Sequence, residues 1–485
     1  MTTQQMIFWS FIAYTLLLFL ITWLTARKAN SHSFFTGNKR SPWPIVAYGM
    51  IGASLSGVTF MSVPGWVGDR SFSYLLMVLG YFLGYLVVAF VLLPLYYRLN
   101  LTTIYTYLHQ RFGFWSYKTG SFFFLLSRTL GASLRMFLVI MVLQKFVFDG
   151  WNVPFELTTI LFLVLILIYT FKGGIKTIIW TDTLQTTFML LSLVVSIVLI
   201  YQALDLSFSQ LISKIMDSDY SQVVFTDPKS KLCWWKQILG GMFITISMTG
   251  LDQEMMQKNL SCKSIKDAQK NMLSFSVVLI FVNMLFLILG ASLYIYATQM
   301  GLSAKGDALF PIIAINYLGP VAGLIFVIGL ISALYPSADG ALTSLTTAFS
   351  IDFLRLDKRT DMTEKKKVNI RHLVHISFAT LFVGVIIFYR YHSTEHLIST
   401  LFYIASLTYG PLLGMFAFGL ITKRKIPDLA MPFIAVFAPL LAYLLELFVA
   451  NYYNYKFDFE LLLINGAITF LLMFIVSFYP SKNEN

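Results

Sequence analysis

The chain has 485 residues, of which 57% are hydrophobic and 12% are charged, and its mean hydropathy is +0.73. Charged residues make up about a quarter of a typical soluble domain, because its surface faces water. The surface of this protein must instead be largely apolar, which predicts that it lies in lipid. The net charge of +12 does not indicate nucleic acid binding, since Lys and Arg lie in short segments between apolar runs.

Thirteen apolar segments are long enough to cross a membrane as helices, which takes about 20 residues. The first begins after five uncharged residues and is too long for a cleaved signal peptide, so we expect it to be retained. The predicted spans are 6–26, 44–67, 72–98, 119–148, 154–171, 177–201, 234–257, 272–297, 319–350, 370–390, 397–421, 431–452 and 460–479. They predict an all-α polytopic membrane protein with a single membrane domain, 1–485.

Along the chain, connecting loops that are rich in basic residues alternate with loops that contain few of them. All odd-numbered loops contain them, for example Arg27, Lys28, Lys39 and Arg40 in the first, Lys258, Lys263, Lys266 and Lys270 in the seventh, and Lys423, Arg424 and Lys425 in the eleventh. Short cytoplasmic loops are enriched in Lys and Arg. This pattern predicts a multi-pass protein of the cell (inner) membrane with its N-terminus outside and its C-terminus in the cytoplasm.

Two spans combine glycines with small hydroxyl residues at mid-depth. The second span contains Gly49, Gly52, Gly57, Ser54, Ser56 and Thr59, and the seventh contains Gly240, Gly241, Gly250, Thr245, Ser247 and Thr249. Glycine weakens a helix and hydroxyls can satisfy unwound backbone, so each span is predicted to break. Their separation of five spans is the interval that an inverted repeat of five helices predicts, with a solute site between the breaks. Tight helix packing through small residues is the alternative.

Six short segments occur in a fixed order over most of the chain. They are SLSGVTFMSVPG at 54–65, LTTIYTYLHQRFG at 101–113, YTFKGGIKTIIWTDTLQ at 169–185, LDQEMMQKNLSCKS at 251–264, SALYPSADGALTSLTTAFSIDF at 332–353 and YGPLLGMFAFGL at 409–420. In these segments the chain resembles the sodium/solute symporter family, which includes sodium/glucose, sodium/iodide, sodium/proline and sialic acid transporters.

The resemblance implies a defined architecture and activity. It predicts an extra N-terminal helix (6–26), a five-plus-five inverted-repeat core with repeats at 44–201 and 234–421, and two C-terminal helices (431–479). It implies sodium-coupled uptake of a small organic solute by alternating access, not an enzyme. The expected partners are the solute and the lipid bilayer, with no nucleic acid, no organic cofactor and a monomeric transport unit. A transporter-like solute sensor is the more remote alternative.

The resemblance also implies a sodium site. Carried over residue by residue, its ligands are the backbone carbonyls of Gly52 and Leu55 in the second span, and the carbonyl of Ala333 with the hydroxyl of Ser337 in the ninth. The family usually has a second hydroxyl residue before this serine, where the present chain has Pro336. One oxygen ligand is lost, so sodium affinity is in question and proton coupling stays open.

Asp182 and Asp339 are acidic residues that lie inside predicted spans, both toward the cytoplasmic half. An ionised carboxylate in a membrane is costly unless it is paired, so a functional role in a second ion site or in coupling is expected. The resemblance supports this for Asp182, whose counterpart serves a second sodium site in some members, whereas such members have serine at Asp339. A structural ion pair with a buried arginine and proton coupling are the alternatives.

Two arginines, Arg128 and Arg135, lie within about 20° of one face of the fourth span, because they are seven residues apart. They are expected either to pair with the two aspartates or to meet an anionic solute. The resemblance adds that sialic acid transporters carry a carboxylate-binding arginine on this helix. An acidic solute, such as a sugar acid, a sialic acid-like molecule or a monocarboxylate, is therefore favoured. The alternative is a sodium- or proton-coupled neutral sugar or polyol held by Ser56 and Thr59.

Overall fold

The structure is a computed structural model that describes residues 3–26, 31–392 and 397–479. The helices of the first half are α1 (Thr3–Ala26), α2 (Ser31–Thr36), α3 (Trp43–Ser54), α4 (Gly57–Arg70), α5 (Tyr74–Val87), α6 (Leu93–Arg98), α7 (Thr106–Arg111), α8 (Phe114–Leu143), α9 (Phe155–Ala203) and α10 (Phe208–Met216). Those of the second half are α11 (Trp234–Thr245), α12 (Gln253–Leu260), α13 (Ile265–Gln299), α14 (Leu309–Asn316), α15 (Pro320–Ala348), α16 (Glu364–His392), α17 (Leu397–Ile421), α18 (Met431–Tyr453) and α19 (Glu460–Val476). The predicted loop residues Arg27 and Lys28 lie outside the described residues.

The thirteen predicted spans all coincide with helical segments. Within the described ranges, nine helical stretches are long and apolar enough to cross a membrane. The other four predicted spans are the two shorter apolar helices 155–171 and 460–476 and the two broken helices of the second and seventh spans. The half α4 of the first broken helix belongs to the long stretch Gly57–Arg98, whereas α3, α11 and α12 are each shorter than 18 residues. The predicted all-α polytopic fold is confirmed.

The fifth and sixth predicted spans are joined without a loop. Helical turns run from Phe155 to Ala203 and are interrupted at Gly174, which has φ 54° and ψ −153°. A side chain at this position would be strained by the positive φ and would collide with Phe34. The predicted connection at 172–176 is therefore a glycine kink at which the chain changes direction.

Both predicted breaks are present. Between α3 and α4 the chain leaves the helix at Leu55 and Ser56, and between α11 and α12 a π-helical turn, Ile246–Gly250, is followed by non-helical Leu251 and Asp252. The glycines beside the breaks pack closely, as the alternative interpretation proposed. A Cβ atom at Gly52 would meet Thr186, and one at Gly241 would meet the carbonyl of Met77. Close packing and helix breaking therefore occur together.

The centre of the protein is α15, in which all residues from Gly329 to Ala348 are buried. This helix packs against α9, α8, α4, α3 and α12, so it contacts both broken helices. At the periphery, apolar side chains of α18 such as Phe433, Val436 and Phe437 are 62%, 63% and 54% exposed. Such side chains on the outer helices are what contact with lipid requires.

Candidate solute-binding and ion-binding site

A cavity lined by both polar and apolar side chains lies beside the break between α3 and α4. It is enclosed by the break, α5, α8, α11 with its π-helical end, α13 and α17. Of the predicted site residues, the structure brings five to this cavity, namely Leu55, Ser56, Thr59, Arg128 and Arg135. Further polar side chains in its lining, which sequence reasoning did not select as site residues, are Ser54, Tyr74, Tyr81, Tyr85, Thr245, Thr249 and Asn283. The cavity can therefore offer hydroxyl, amide and guanidinium groups to a solute.

The two predicted arginines have different surroundings. Arg128 contacts the carboxylate of Glu254 through Nη2, and its Nη1 lies 3.6 Å from Oδ2 of Asp252. Arg135 lies seven residues further along the same face of α8. It has no carboxylate within 4 Å among the described residues, and its Nε atom has no hydrogen-bond partner there. Arg128 is thus neutralised by the protein, whereas Arg135 is not.

The carboxylates that neutralise Arg128 lie at the start of α12, and sequence reasoning did not name them as site residues. Asp252 caps this helix by accepting hydrogen bonds from the backbone N–H groups of Glu254 and Met255 at 2.9 and 3.1 Å. The Tyr409 hydroxyl donates to Asp252 Oδ2 at 2.5 Å. The expectation that only Asp182 and Asp339 were available to the arginines is wrong. The break carries the polar α12 through the protein interior, where Asp252 and Glu254 are fully buried.

The assignment of Lys258 to a cytoplasmic loop is also wrong. This lysine is 1% exposed, and its Nζ atom lies 2.7 Å from Oδ2 of Asp182 and 3.5 Å from Oε1 of Glu254. Asp182 therefore forms a buried ion pair with a lysine, not with the arginine that the structural alternative proposed. The available sequence signal was the spacing of Glu254 and Lys258, which places them on one face of a helix.

The other predicted acid, Asp339, has no ion-pair partner within 4 Å in the described part of the chain. Its Oδ2 atom accepts a hydrogen bond from the Tyr169 hydroxyl at 2.8 Å. Its Oδ1 atom and the hydroxyl of Ser337, two residues earlier on α15, are both buried without a hydrogen-bond partner among the residues described. Buried oxygens without donors can accommodate a cation at low cost, because no existing hydrogen bond has to be broken.

The predicted sodium ligands of the second span lie at the end of α3, which packs against α15. The last helical hydrogen bond of α3 runs from Leu55 N–H to Ile51, and the next begins at Phe60 N–H with Ser56 as acceptor. The carbonyls of residues 52–55 therefore lie outside the helical ladder. Backbone carbonyl oxygens of this kind are ligands that a hard cation such as sodium prefers. Ala333 is likewise fully buried on α15.

At the second break, tyrosine hydroxyls bond to two of the carbonyls. The Tyr96 hydroxyl donates to the Gly250 carbonyl at 2.8 Å, and the Tyr105 hydroxyl donates to the Leu251 carbonyl at 2.9 Å. Gln253 accepts from the Ile104 N–H and donates to the Thr102 carbonyl, each at 2.9 Å. The segment 101–113 thus holds α12 in place.

The sequence profile of the sodium:solute symporter family matches residues 34–431, most of this chain. The chain belongs to this family. It is therefore a sodium-coupled symporter of a small solute, and not an enzyme.

Relatives of this symporter include two sodium/sialic acid symporters. The one from Proteus mirabilis is 24% identical and is matched over 83% of this chain and 82% of its own length, and the one from Aliivibrio fischeri is 25% identical over 82% and 79%. A solved structure of a sodium-coupled sialic acid symporter in a substrate-bound, outward-open state is similar with a TM-score of 0.82, 19% identity and 98% coverage of both chains. That likeness shows that this chain has the same fold as the solved structure.

The buried ion pair between Lys258 and Asp182 can be tested by removing its cation. We expect Lys258→Met to lower the free energy of unfolding by about 3–5 kcal/mol, because it leaves two buried carboxylates short of a positive charge. The double variant with Asp182→Asn should be less destabilised than the sum of the single variants. Thermal unfolding of the purified protein in lipid nanodiscs measures these effects.

The matched control is Lys263→Met, which changes an exposed lysine five residues further along the chain. It should leave thermal stability unchanged. If Lys258→Met is no less stable than Lys263→Met, the buried ion pair does not contribute to the fold.

Proposed function

We propose that this symporter imports an anionic organic solute together with sodium, and that Arg135 binds the anionic group. The observation that carries the proposal is the guanidinium of Arg135, which borders the cavity and has no carboxylate within 4 Å among the described residues. An arginine stays charged in proteins, and a charge within a bilayer is costly unless it is compensated. A bound carboxylate supplies that compensation and matches the guanidinium in geometry.

The sodium/sialic acid symporters among the relatives support an acidic sugar as the solute. Ser56 and Thr59 line the same cavity and would bind solute hydroxyls. Arg128 also borders the cavity, but its pairing with Asp252 and Glu254 supports a role in holding α8 against α12. We therefore assign anion binding to Arg135 and a supporting role to Arg128.

For the coupling ion, we propose sodium bound by the carbonyls of Gly52, Leu55 and Ala333 and by the Ser337 hydroxyl. The free oxygens at the first break support this assignment. Because Asp182 is held by Lys258, Asp339 is the acid that we propose to act in coupling beside this site.

We further propose that the chain forms one transport unit, active as a monomer, with repeats at 44–201 and 234–421. The helix 6–26 and the pair within 431–479 lie outside this core. The distribution of loop charges supports an N-terminus outside and a C-terminus in the cytoplasm of the cell (inner) membrane. Lys258 no longer counts toward this distribution, but Lys263, Lys266 and Lys270 keep the seventh loop basic.

The sodium site predicts the behaviour of Ser337→Ala. Loss of one coordinating hydroxyl should raise the sodium concentration needed for half-maximal uptake about tenfold, equivalent to about 1.4 kcal/mol. Pro336→Ser should lower it by restoring a hydroxyl. The control is Ser344→Ala on the same helix, because the Ser344 hydroxyl donates to the Ala341 carbonyl and is not a proposed ligand. Uptake that is equal in choline and collapses with the proton gradient would contradict sodium coupling.

The anion site predicts that Arg135→Lys weakens solute binding at least tenfold while sodium binding stays nearly intact, because an ammonium cannot form the bidentate contact. Uptake of N-acetylneuraminate into proteoliposomes, with sodium-induced thermal stabilisation as the second measurement, separates the two effects. Arg128→Lys is the comparison and should lower stability. Inhibition of uptake by neutral sugars but by no carboxylated solute would favour the neutral sugar or polyol alternative.

The orientation predicts where a reporter that is active only in the cytoplasm will function. Fusions after Lys367 and Asn485 should be active, and fusions after Asp149 and Ser207 should be inactive. Western blots of each fusion control for expression. Activity after Asp149 or Ser207 would overturn the proposed topology.

A further inference from the structure

Asn283 borders the cavity and has a buried side-chain oxygen that accepts no hydrogen bond within the described residues. The residue lies on α13, is 1% exposed and borders the same cavity as Arg135. Its Nδ2 atom donates to the Leu279 carbonyl at 2.8 Å, whereas its Oδ1 atom has no partner in the part of the chain described. The reverse amide orientation would place two acceptor oxygens together, so the carbonyl oxygen is the free atom.

The polar side chains around the cavity differ in whether the protein supplies them with hydrogen-bond partners. The hydroxyls of Tyr74 and Tyr81 bond to each other at 3.3 Å. Within the described residues, three lining side chains have a buried polar atom without a hydrogen-bond partner, namely Arg128 and Arg135 at Nε and Asn283 at Oδ1. The arginine atoms are donors and the asparagine atom is an acceptor.

These unmatched groups define the chemistry of a complementary solute. A carboxylate satisfies the donors of Arg135, but it carries no hydrogen to offer Asn283. A simple monocarboxylate would therefore leave the buried Asn283 oxygen unpaired, which is unfavourable in a site closed to water. An acid that also bears a hydroxyl or amide N–H group would satisfy both ends of the site.

We propose that Asn283 is a specificity-determining residue that accepts a hydrogen bond from a hydroxyl or amide N–H group of the solute. The symporter then selects hydroxylated or amide-bearing acids over simple monocarboxylates. This inference rests on the proposed function, because Arg135 supplies the contact with the carboxylate. Sites that hydrogen-bond a substrate group discriminate strongly against analogues that lack it.

Binding of gluconate and hexanoate, two six-carbon acids with and without hydroxyls, tests the assignment. The full-length protein in lipid nanodiscs with saturating sodium is titrated with each acid by isothermal calorimetry. The wild type should bind gluconate at least tenfold more tightly than hexanoate. Asn283→Leu, which has a similar volume and no acceptor, should reduce that ratio to near one by weakening gluconate binding alone.

Two further variants make the result interpretable. Asn283→Ser keeps an acceptor in a smaller side chain and should retain part of the preference for gluconate, which excludes a packing effect. Ser276→Ala, on the same helix, removes a hydroxyl that donates to the Leu273 carbonyl and should leave the ratio unchanged. A wild type that binds both acids equally, or neither, overturns the proposal without recourse to any variant.

Arg135→Gln separates this proposal from the proposed function. If Arg135→Gln loses both acids while Asn283→Leu keeps the wild-type ratio, the role of Asn283 is overturned and the anion site stands. If Arg135→Gln binds both acids as the wild type does, the anion site itself is overturned.

Discussion

Buried charge in a membrane protein has to be neutralised where it lies, and in this symporter α12 is the helix around which that happens. Arg128 of α8 contacts Asp252 and Glu254, and Lys258 contacts Glu254 and Asp182 of α9. The resulting chain of ion pairs ties three helices together. Removing one member would leave its partner charged and unpaired in the interior, so the arrangement of these helices depends on the whole chain of pairs.

The two broken helices have taken different roles because their freed carbonyls have different partners. Tyr96 and Tyr105 donate to the carbonyls at the second break, so that break is part of the fixed structure. The carbonyls at 52–55 remain outside the helical ladder, beside the cavity and close to α15. The first break thus has backbone oxygens outside the helical ladder and also borders the cavity.

Arg128 is paired with carboxylates of the protein, and this distinguishes it from Arg135. Two arginines on one face of α8 looked equivalent, but α12 supplies carboxylates to one and not to the other. Arg135 and Asn283 both border the cavity and both have an unpartnered polar atom among the described residues, and the proposal of a solute with an acidic end and a hydrogen-bond donor rests on them. The proposals for the solute therefore follow from what the protein leaves unpaired.

The sequence by itself determined the thirteen spans, both helix breaks and the family, because hydrophobic length, glycine clusters and ordered motifs are local properties. It also brought Ser56, Thr59, Arg128 and Arg135 forward as candidates, and the structure places them at one cavity. Only the tertiary structure decided which charges meet. Glu254 lies near the end of the predicted seventh span and Lys258 just beyond it, and their burial depends on a break that turns this polar segment inward. Ion pairing joins residues far apart in the chain, so hydropathy and spacing do not encode it.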